Sequence, residues 1–305
     1  MDSKRKKLAY IAALLYAFII GFSFIFVKLA LLAADPLNTL AHRFTVAFLV
    51  ASIPIVFGWI KLNIKPRDML LILPLTLFYP TMFFAFQTFG LVYASSSEAG
   101  IIQATVPIFT LILATYFLKE HTNRWQKLCI VLSVTGVIYI FTMQGIAIES
   151  TNFKGTILIL FSTLSVSGYN IVARSLTKKY KLSDLTYMMT AIGFLCFNLF
   201  SLIHHAVNGS IHLYFQPFTN MTFLISIVFL GVLSSLITSF LSNYALSQIE
   251  ASKISVFSNL ATFIAIMAGV VFLHEKLAYF HIIGAIMIVL GLLGTTFLDK
   301  ETKAA

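Results

Sequence analysis

Ser97–Gly136 reads SEAGIIQATVPIFTLILATYFLKEHTNRWQKLCIVLSVTG, and Ser252–Gly291 reads SKISVFSNLATFIAIMAGVVFLHEKLAYFHIIGAIMIVLG. The two stretches align without a gap at an offset of 155 residues. Ser97 meets Ser252, Leu118 meets Leu273, Glu120 meets Glu275 and Gly136 meets Gly291. Each copy is an apolar run, an L-x-E turn, and a second apolar run with glycine at the same depth. A helix crosses the hydrocarbon core of a bilayer with about 20 apolar residues. Each copy therefore reads as a pair of membrane spans, and the chain as an internal duplication.

The same ruler applied outward predicts spans near 8–33, 39–60, 69–92, 98–118, 125–142, 155–176, 184–204, 221–244, 253–273 and 278–298. Composition agrees: 59% of residues are hydrophobic and 10% charged, against roughly a quarter charged in a soluble domain. Only helices suit such runs, because backbone groups in lipid must be satisfied within the segment. The alternating ten-residue segments of an outer-membrane barrel are absent. The basic run Lys4-Arg5-Lys6-Lys7 resembles the start of a signal peptide. No small-residue cleavage site follows it, so the first apolar run is expected to be retained.

The net charge of +10 does not point to nucleic acid, because the basic residues concentrate in short loops. With the N-terminus inside, 17 of the 21 Lys and Arg residues fall on the cytoplasmic side and only Lys154 and Lys276 outside, with Lys28 and Arg43 within spans. This is the asymmetry that orients membrane helices. The expected fold is an all-α membrane protein of ten transmembrane helices with both termini cytoplasmic. It divides into a first five-helix repeat over 1–150 and a second over 151–305. Five is odd, so the halves have opposite orientation. Inverted repeats of this kind build secondary transporters, whose substrate site lies between the halves near the midplane.

The paired segments TVPIFTLILATYFLKE and ATFIAIMAGVVFLHE, each followed by a Gly-centred span, resemble the EamA family of the drug/metabolite transporter superfamily. GFSFIFVKLAL in the first span and Arg43 early in the second are similar to that family's first two spans. The resemblance implies a ten-helix carrier of the cell (inner or plasma) membrane that exports amino acids or related metabolites. Two positions depart from it. Thr262 stands where the family often has proline, opposite Pro107, and the second half has no arginine equivalent to Arg43. The two halves are not expected to contribute equally to a site.

Charges within a span are costly and invite function. A planar guanidinium at Arg43 suits bidentate recognition of a carboxylate, although Arg43 and Lys28 both lie near the outer interface, where they can snorkel. Buried amides need partners, which singles out Gln87, Gln103 and Asn170 for the cavity wall, with Tyr169 adjacent. Ser235, Ser239 and Ser242 share one face of span eight, and Ser255, Ser258 and Thr262 one face of span nine. Small hydroxyl residues also pack membrane helices closely. Glu98 opens span four, where an acid favours a helix N-terminus. Glu120 and Glu275 are expected to pin the inter-span turns, as structural or gating residues. Pro54, Pro74, Pro80 and Pro107 break or kink spans two to four.

No carboxylate falls mid-span, which favours facilitated movement down a gradient, with coupling through Glu98 or His42 left open. Two separated cysteines, Cys129 and Cys196, make neither a disulfide framework nor a metal site. His204, His205 and His212 are expected in a solvated loop. No cofactor is implied, and the partners expected are a small solute and the lipid bilayer. A membrane-embedded lipid-modifying enzyme or a non-transporting scaffold are the alternatives. The first lacks a nucleophile–base or metal constellation in the sequence, the second long loops. A channel lacks a ring of charge or a filter-like glycine run.

Overall fold

The computed structural model describes residues 3–117, 124–147, 151–251, 254 and 257–301. Among these residues the regular structure is helical throughout: α1 (Ser3–Leu31), α2 (Pro36–Val56), α3 (Pro66–Thr76), α4 (Phe83–Tyr93), α5 (Ser96–Gln103), α6 (Val106–Phe117), α7 (Arg124–Ala147), α8 (Thr151–Leu176), α9 (Leu182–Val207), α10 (Met221–Val228), α11 (Thr238–Gln248), α12 (Ser258–Leu273) and α13 (Tyr279–Glu301). Wider π-helical turns over Leu77–Met82 and Phe229–Ile237 join α3 to α4 and α10 to α11.

Seven of these helical stretches are long and apolar enough to cross a membrane: Lys7–Leu31, Pro36–Val56, Asp68–Tyr93, Ser96–Phe117, Phe153–Leu176, Leu182–Val207 and Met221–Gln248. Lys127–Ile140, Leu260–Leu273 and Tyr279–Gly291 are shorter apolar helices. The side chains are sorted as lipid demands. In α1, Leu8, Ile11, Leu14, Leu15 and Phe18 point outward and are exposed, whereas Ala9, Ala13 and Ala17 face the interior. Large apolar groups outside and small or polar groups inside reverse the arrangement of a soluble helix, and they let backbones approach closely.

Local signals end the helices where the chain turns. Asp35 caps α2, accepting from the backbone N–H groups of Leu37 and Asn38 at 2.9 and 3.0 Å, with Pro36 in the first turn. Ser95 and Glu98 close a capping box on α5: Glu98 N–H donates to Ser95 Oγ at 3.0 Å and Ser95 N–H to Glu98 Oε2 at 2.9 Å.

The packing joins distant parts of the chain. α1 lies on α11 and α12, and α8 on α4 and α6. α2 lies on α9, α5 on α12, and α7 on α13. At the last of these crossings Gly136 and Gly284 face one another. A methyl on Gly136 would stand 2.9 Å from the Gly284 carbonyl, and one on Gly284 2.3 Å from Ile140 Cγ1. Helix limits also recur at the offset of 155 residues: α4 spans Phe83–Tyr93 and α11 spans Thr238–Gln248.

Candidate functional site

Arg43 sits two turns into α2 and is completely buried. Its Nε donates to Ser235 Oγ at 2.7 Å, and Nη2 donates to Ser234 Oγ at 2.9 Å and more weakly to the Ser234 carbonyl at 3.4 Å. The guanidinium carbon lies 3.8 Å from the centre of the Phe84 ring, a cation–π contact. Nη1 has no hydrogen-bond partner, and among the described residues no carboxylate pairs with Arg43.

Two features of the backbone make this possible. The π-helical turn of Phe229–Ile237 presents the consecutive residues Ser234 and Ser235 to the same guanidinium. Gly231 lets α2 come close: a Cβ there would stand 2.7 Å from the Arg43 carbonyl oxygen. The sequence singled out Arg43 and Ser235. Ser234 escaped because regular helical spacing puts neighbouring residues about 100° apart.

Beside Arg43 lies an aromatic cluster. Tyr79 breaks its helix with φ −146° and ψ 119°, and its ring packs 4.8 Å from Tyr169 and 5.0 Å from both Phe83 and Phe84. The Tyr79 hydroxyl lies 3.5 Å from Thr238 Oγ1. Tyr169 donates to Asn243 Oδ1 at 2.8 Å, and Asn243 Nδ2 donates to Thr186 Oγ1 at 3.2 Å. Residues of α2, α4, α8, α9 and α11 therefore converge here. One turn along α4 from Phe83 and Phe84, Gln87 is fully buried with neither amide atom partnered, and the neighbouring Thr88 hydroxyl is also unpartnered.

The other amides have protein partners. Gln103 Nε2 donates to Ser162 Oγ at 3.3 Å, and Asn170 Nδ2 to Thr110 Oγ1 at 3.3 Å. Tyr169 and Asn170, though adjacent, thus bond to different helices. Ser239 is buried and its hydroxyl donates to the Ser235 carbonyl at 2.5 Å. Ser258 is half-buried at the start of α12, and Thr262 Oγ1 donates to the Gly100 carbonyl at 2.9 Å, binding α12 to α5. Pro107 is buried in the first turn of α6, just after the interruption at Ala104–Thr105. Ser255 and Glu120 lie outside the described residues.

The acidic groups tie helix ends together. Glu275, from the turn between α12 and α13, accepts from Ser96 N–H at 2.7 Å, Ser97 N–H at 2.8 Å and Ser97 Oγ at 2.7 Å. It thereby caps α5 from a distance. Glu98 also meets His281 Nε2 at 3.1 Å, while His281 Nδ1 accepts from Ala278 N–H at 3.3 Å. This partner of Glu98 has no signal in the sequence.

A second polar group, of which the sequence singled out only His42, closes the N-terminal end of α2. The Tyr214 carbonyl accepts from Asn38 Nδ2 at 3.3 Å and lies 2.7 Å from His42 Nε2. The Tyr214 hydroxyl donates to Asn198 Oδ1 at 2.5 Å, and burial pushes that phenol's pKa up. His204 and His205, expected in a loop, form the last turn of α9, where His205 Nδ1 lies 2.8 Å from Ser210 Oγ. The apolar run simply continues to Val207. Among the described residues, no three His, Cys, Asp or Glu side chains are grouped to hold a metal.

Among helices whose outer faces are apolar, Arg43 is thus fully buried with no carboxylate partner among the described residues, and α4, which packs on α2, carries the unpartnered Gln87 and Thr88. The model of the EamA-like transporter family matches residues 7–142 and again 153–297. The chain belongs to this family. It is 55% identical over 296 residues to the uncharacterized transporter YcxC of Bacillus subtilis (strain 168), covering 97% of this chain and 95% of that one. An uncharacterized transporter of Archaeoglobus fulgidus is 28% identical over 279 residues, covering 89% and 92%. A solved crystal structure shares the fold at 16% identity, with a TM-score of 0.66 over 98% of this chain and 97% of that one. EamA membership and the transporter relatives make this a multi-pass membrane transporter.

Proposed function

We propose that this EamA protein is a secondary transporter of the cell membrane that exports a small polar or zwitterionic metabolite, such as an amino acid, by alternating access. Its fold in this reading is ten spans in two inverted five-helix repeats, 1–150 and 151–305, with both termini cytoplasmic. The three shorter apolar helices supply the remaining spans. The packing supports the symmetry: advancing every span by five exchanges the pairing of spans one and nine (α1, α12) with that of six and four (α8, α6). The same operation returns two with seven and five with ten to themselves. The repeated helix limits and the double match of the family model agree.

The irregular turns support movement between two states. Leu77–Met82 and Phe229–Ile237 occupy equivalent places in spans three and eight, and each interrupts the regular backbone ladder beside Arg43. π-helical turns cluster at functional sites, and a broken helix re-aims its halves at low cost. The single observation that carries the reading is Arg43, a charge buried within a span among its hydrogen-bonding serines.

The test is transport by purified protein in liposomes loaded with labelled amino acids and related metabolites. Efflux above protein-free liposomes for at least one solute, saturating with its concentration, is expected. Solute flux no faster than in empty liposomes across the panel, from protein shown to be folded, overturns the reading.

A further inference from the structure

The loop 208–220 between α9 and α10 contains only two short 3-10 turns, Ile211–Leu213 and Gln216–Thr219. Within it Tyr214 and Pro217 alone are buried, so its hold on the helices is concentrated at Tyr214. The Tyr214 carbonyl accepts from Asn38 Nδ2 at 3.3 Å and from His42 Nε2 at 2.7 Å, both on α2. His42 must be the donor there, since a carbonyl only accepts. The Tyr214 hydroxyl donates to Asn198 Oδ1 on α9 at 2.5 Å. Its ring packs 4.6 Å from His42 and 5.6 Å from His205, and the Phe218 ring 4.5 Å from His42. One loop residue thus clamps α2 to α9, which come from the two stretches matched by the family model.

The helix ends it clamps are better suited to water than to burial. Asn38 Oδ1 and Thr39 Oγ1 on α2, and Ser201 Oγ and His205 Nε2 on α9, are buried without partners. Such atoms cost free energy that water returns when they are wetted. The Tyr214 contacts therefore hold a closed arrangement against a pull towards hydration. At the opposite end of the same antiparallel helix pair, the α2–α3 loop reaches back in the same way. There Asn63 N–H meets Asp184 Oδ2, in the first turn of α9, at 3.4 Å. Each of the two loops thus touches the start of the helix from the other matched stretch.

We propose that residues 208–220 are a lid over the end of the α2–α9 seam, latched by Tyr214, which lifts to let solute pass on that side. In the proposed topology this is the outer side. The inference rests on the transporter reading for what passes beneath the lid, though not for the lifting itself. Arg43 directly follows His42, so opening the lid frees the residue next to the buried guanidinium.

The test uses the full-length protein in nanodiscs, with Cys129→Ala and Cys196→Ala leaving Asn38→Cys as the thiol beneath the latch. A water-soluble maleimide should label it slowly. Tyr214→Phe removes one hydrogen bond and leaves Asn198 Oδ1 its contact with Thr45 Oγ1. It should speed labelling about 2- to 10-fold, as loss of one ordinary hydrogen bond predicts, and Tyr214→Ala should speed it more. Hydrogen exchange at the backbone N–H groups of 211–219 should rise likewise in Tyr214→Phe with both native cysteines kept, which preserves the comparison if the cysteine-replaced protein does not fold. Thr190→Cys, buried further along α9, should not respond. Rates unmoved by either Tyr214 variant overturn the proposal, and so does an equal rise at Thr190→Cys, which marks general loosening. Asn38→Cys with Tyr214→Cys, joined by a disulfide or a short bismaleimide, locks the lid and should stop efflux from liposomes until the disulfide is reduced. Undiminished efflux from joined protein overturns the proposal. Absence of efflux even from the unjoined wild type overturns the transporter reading, while labelling still decides whether the lid opens.

Discussion

Glu275 offers a perturbation whose size follows from its contacts. Its carboxylate accepts three hydrogen bonds, two from backbone N–H groups at the start of α5 and one from the Ser97 hydroxyl. Hydrogen bonds to charged groups contribute about 1.5–3 kcal/mol each when buried. Glu275 is half-buried, so water re-satisfies part of what is lost, and the upper end of helix-cap measurements, about 2 kcal/mol, is the better guide. Glu275→Ala should therefore destabilise by about 2 kcal/mol. Glu275→Gln should lose about half of that, because charge-assisted bonds are roughly twice as strong as neutral ones. Gly269→Ala gives an independent route to the same contact: its Cβ would stand 2.3 Å from Glu275 Oε2 and 2.5 Å from Ser97 Oγ. The assay is unfolding in mixed micelles, with Ser97→Ala and the double variant completing a cycle that isolates the pair. Glu275→Ala within about 0.5 kcal/mol of wild type, the range of inconsequential surface changes, would refute the capping argument.

Two further outcomes follow from the site. Tyr169→Phe removes the donor to Asn243 Oδ1 and should destabilise by about 1–3 kcal/mol, the penalty for an orphaned buried acceptor, measured in the same unfolding assay. Gly231→Ala pushes the span-eight turn off the Arg43 carbonyl. It should reduce transport more than stability, read as efflux rate against unfolding midpoint.

What was legible in the sequence and what was not divides along a physical line. Span-length apolar runs and the repeat of Ser97–Gly136 are averages over many residues, so they survive local irregularity, and the long helices fall where they predict. Arg43 was legible because a charge in an apolar run stands out against its surroundings. Ser234 was hidden by the assumption of a regular helix, and nothing in FLGVLSSLI marks a π-helical turn as Pro80 marks the break in span three. His281, Tyr214 and Asn198 were hidden because their partners lie in other helices, and pairing across helices has no spacing to read. Gln87 and Gln103 looked alike as amides in apolar runs. Only the packing separates them, since Gln103 finds Ser162 and Gln87 finds nothing.

The asymmetry between the halves then bears on mechanism. The irregular turns recur at Leu77–Met82 and Phe229–Ile237, one in each stretch matched by the family model. The charge is not shared: Arg43 belongs to span two, and span seven carries neither lysine nor arginine between Leu182 and Val207. Arg43, in the first stretch matched by the family model, is held by Ser234 and Ser235 of the second. Because the two partners of Arg43 come from the other matched stretch, the alternating access proposed above would stretch or break those bonds. On the proposed function, a solute bridging Nη1 and the serine hydroxyls would be held by both stretches at once, and its release would accompany their separation. On this argument Ser234→Ala combined with Ser235→Ala should weaken solute-dependent thermal stabilisation and lower efflux by a larger factor than binding. Equal loss of binding and efflux would show instead that the serines serve binding alone.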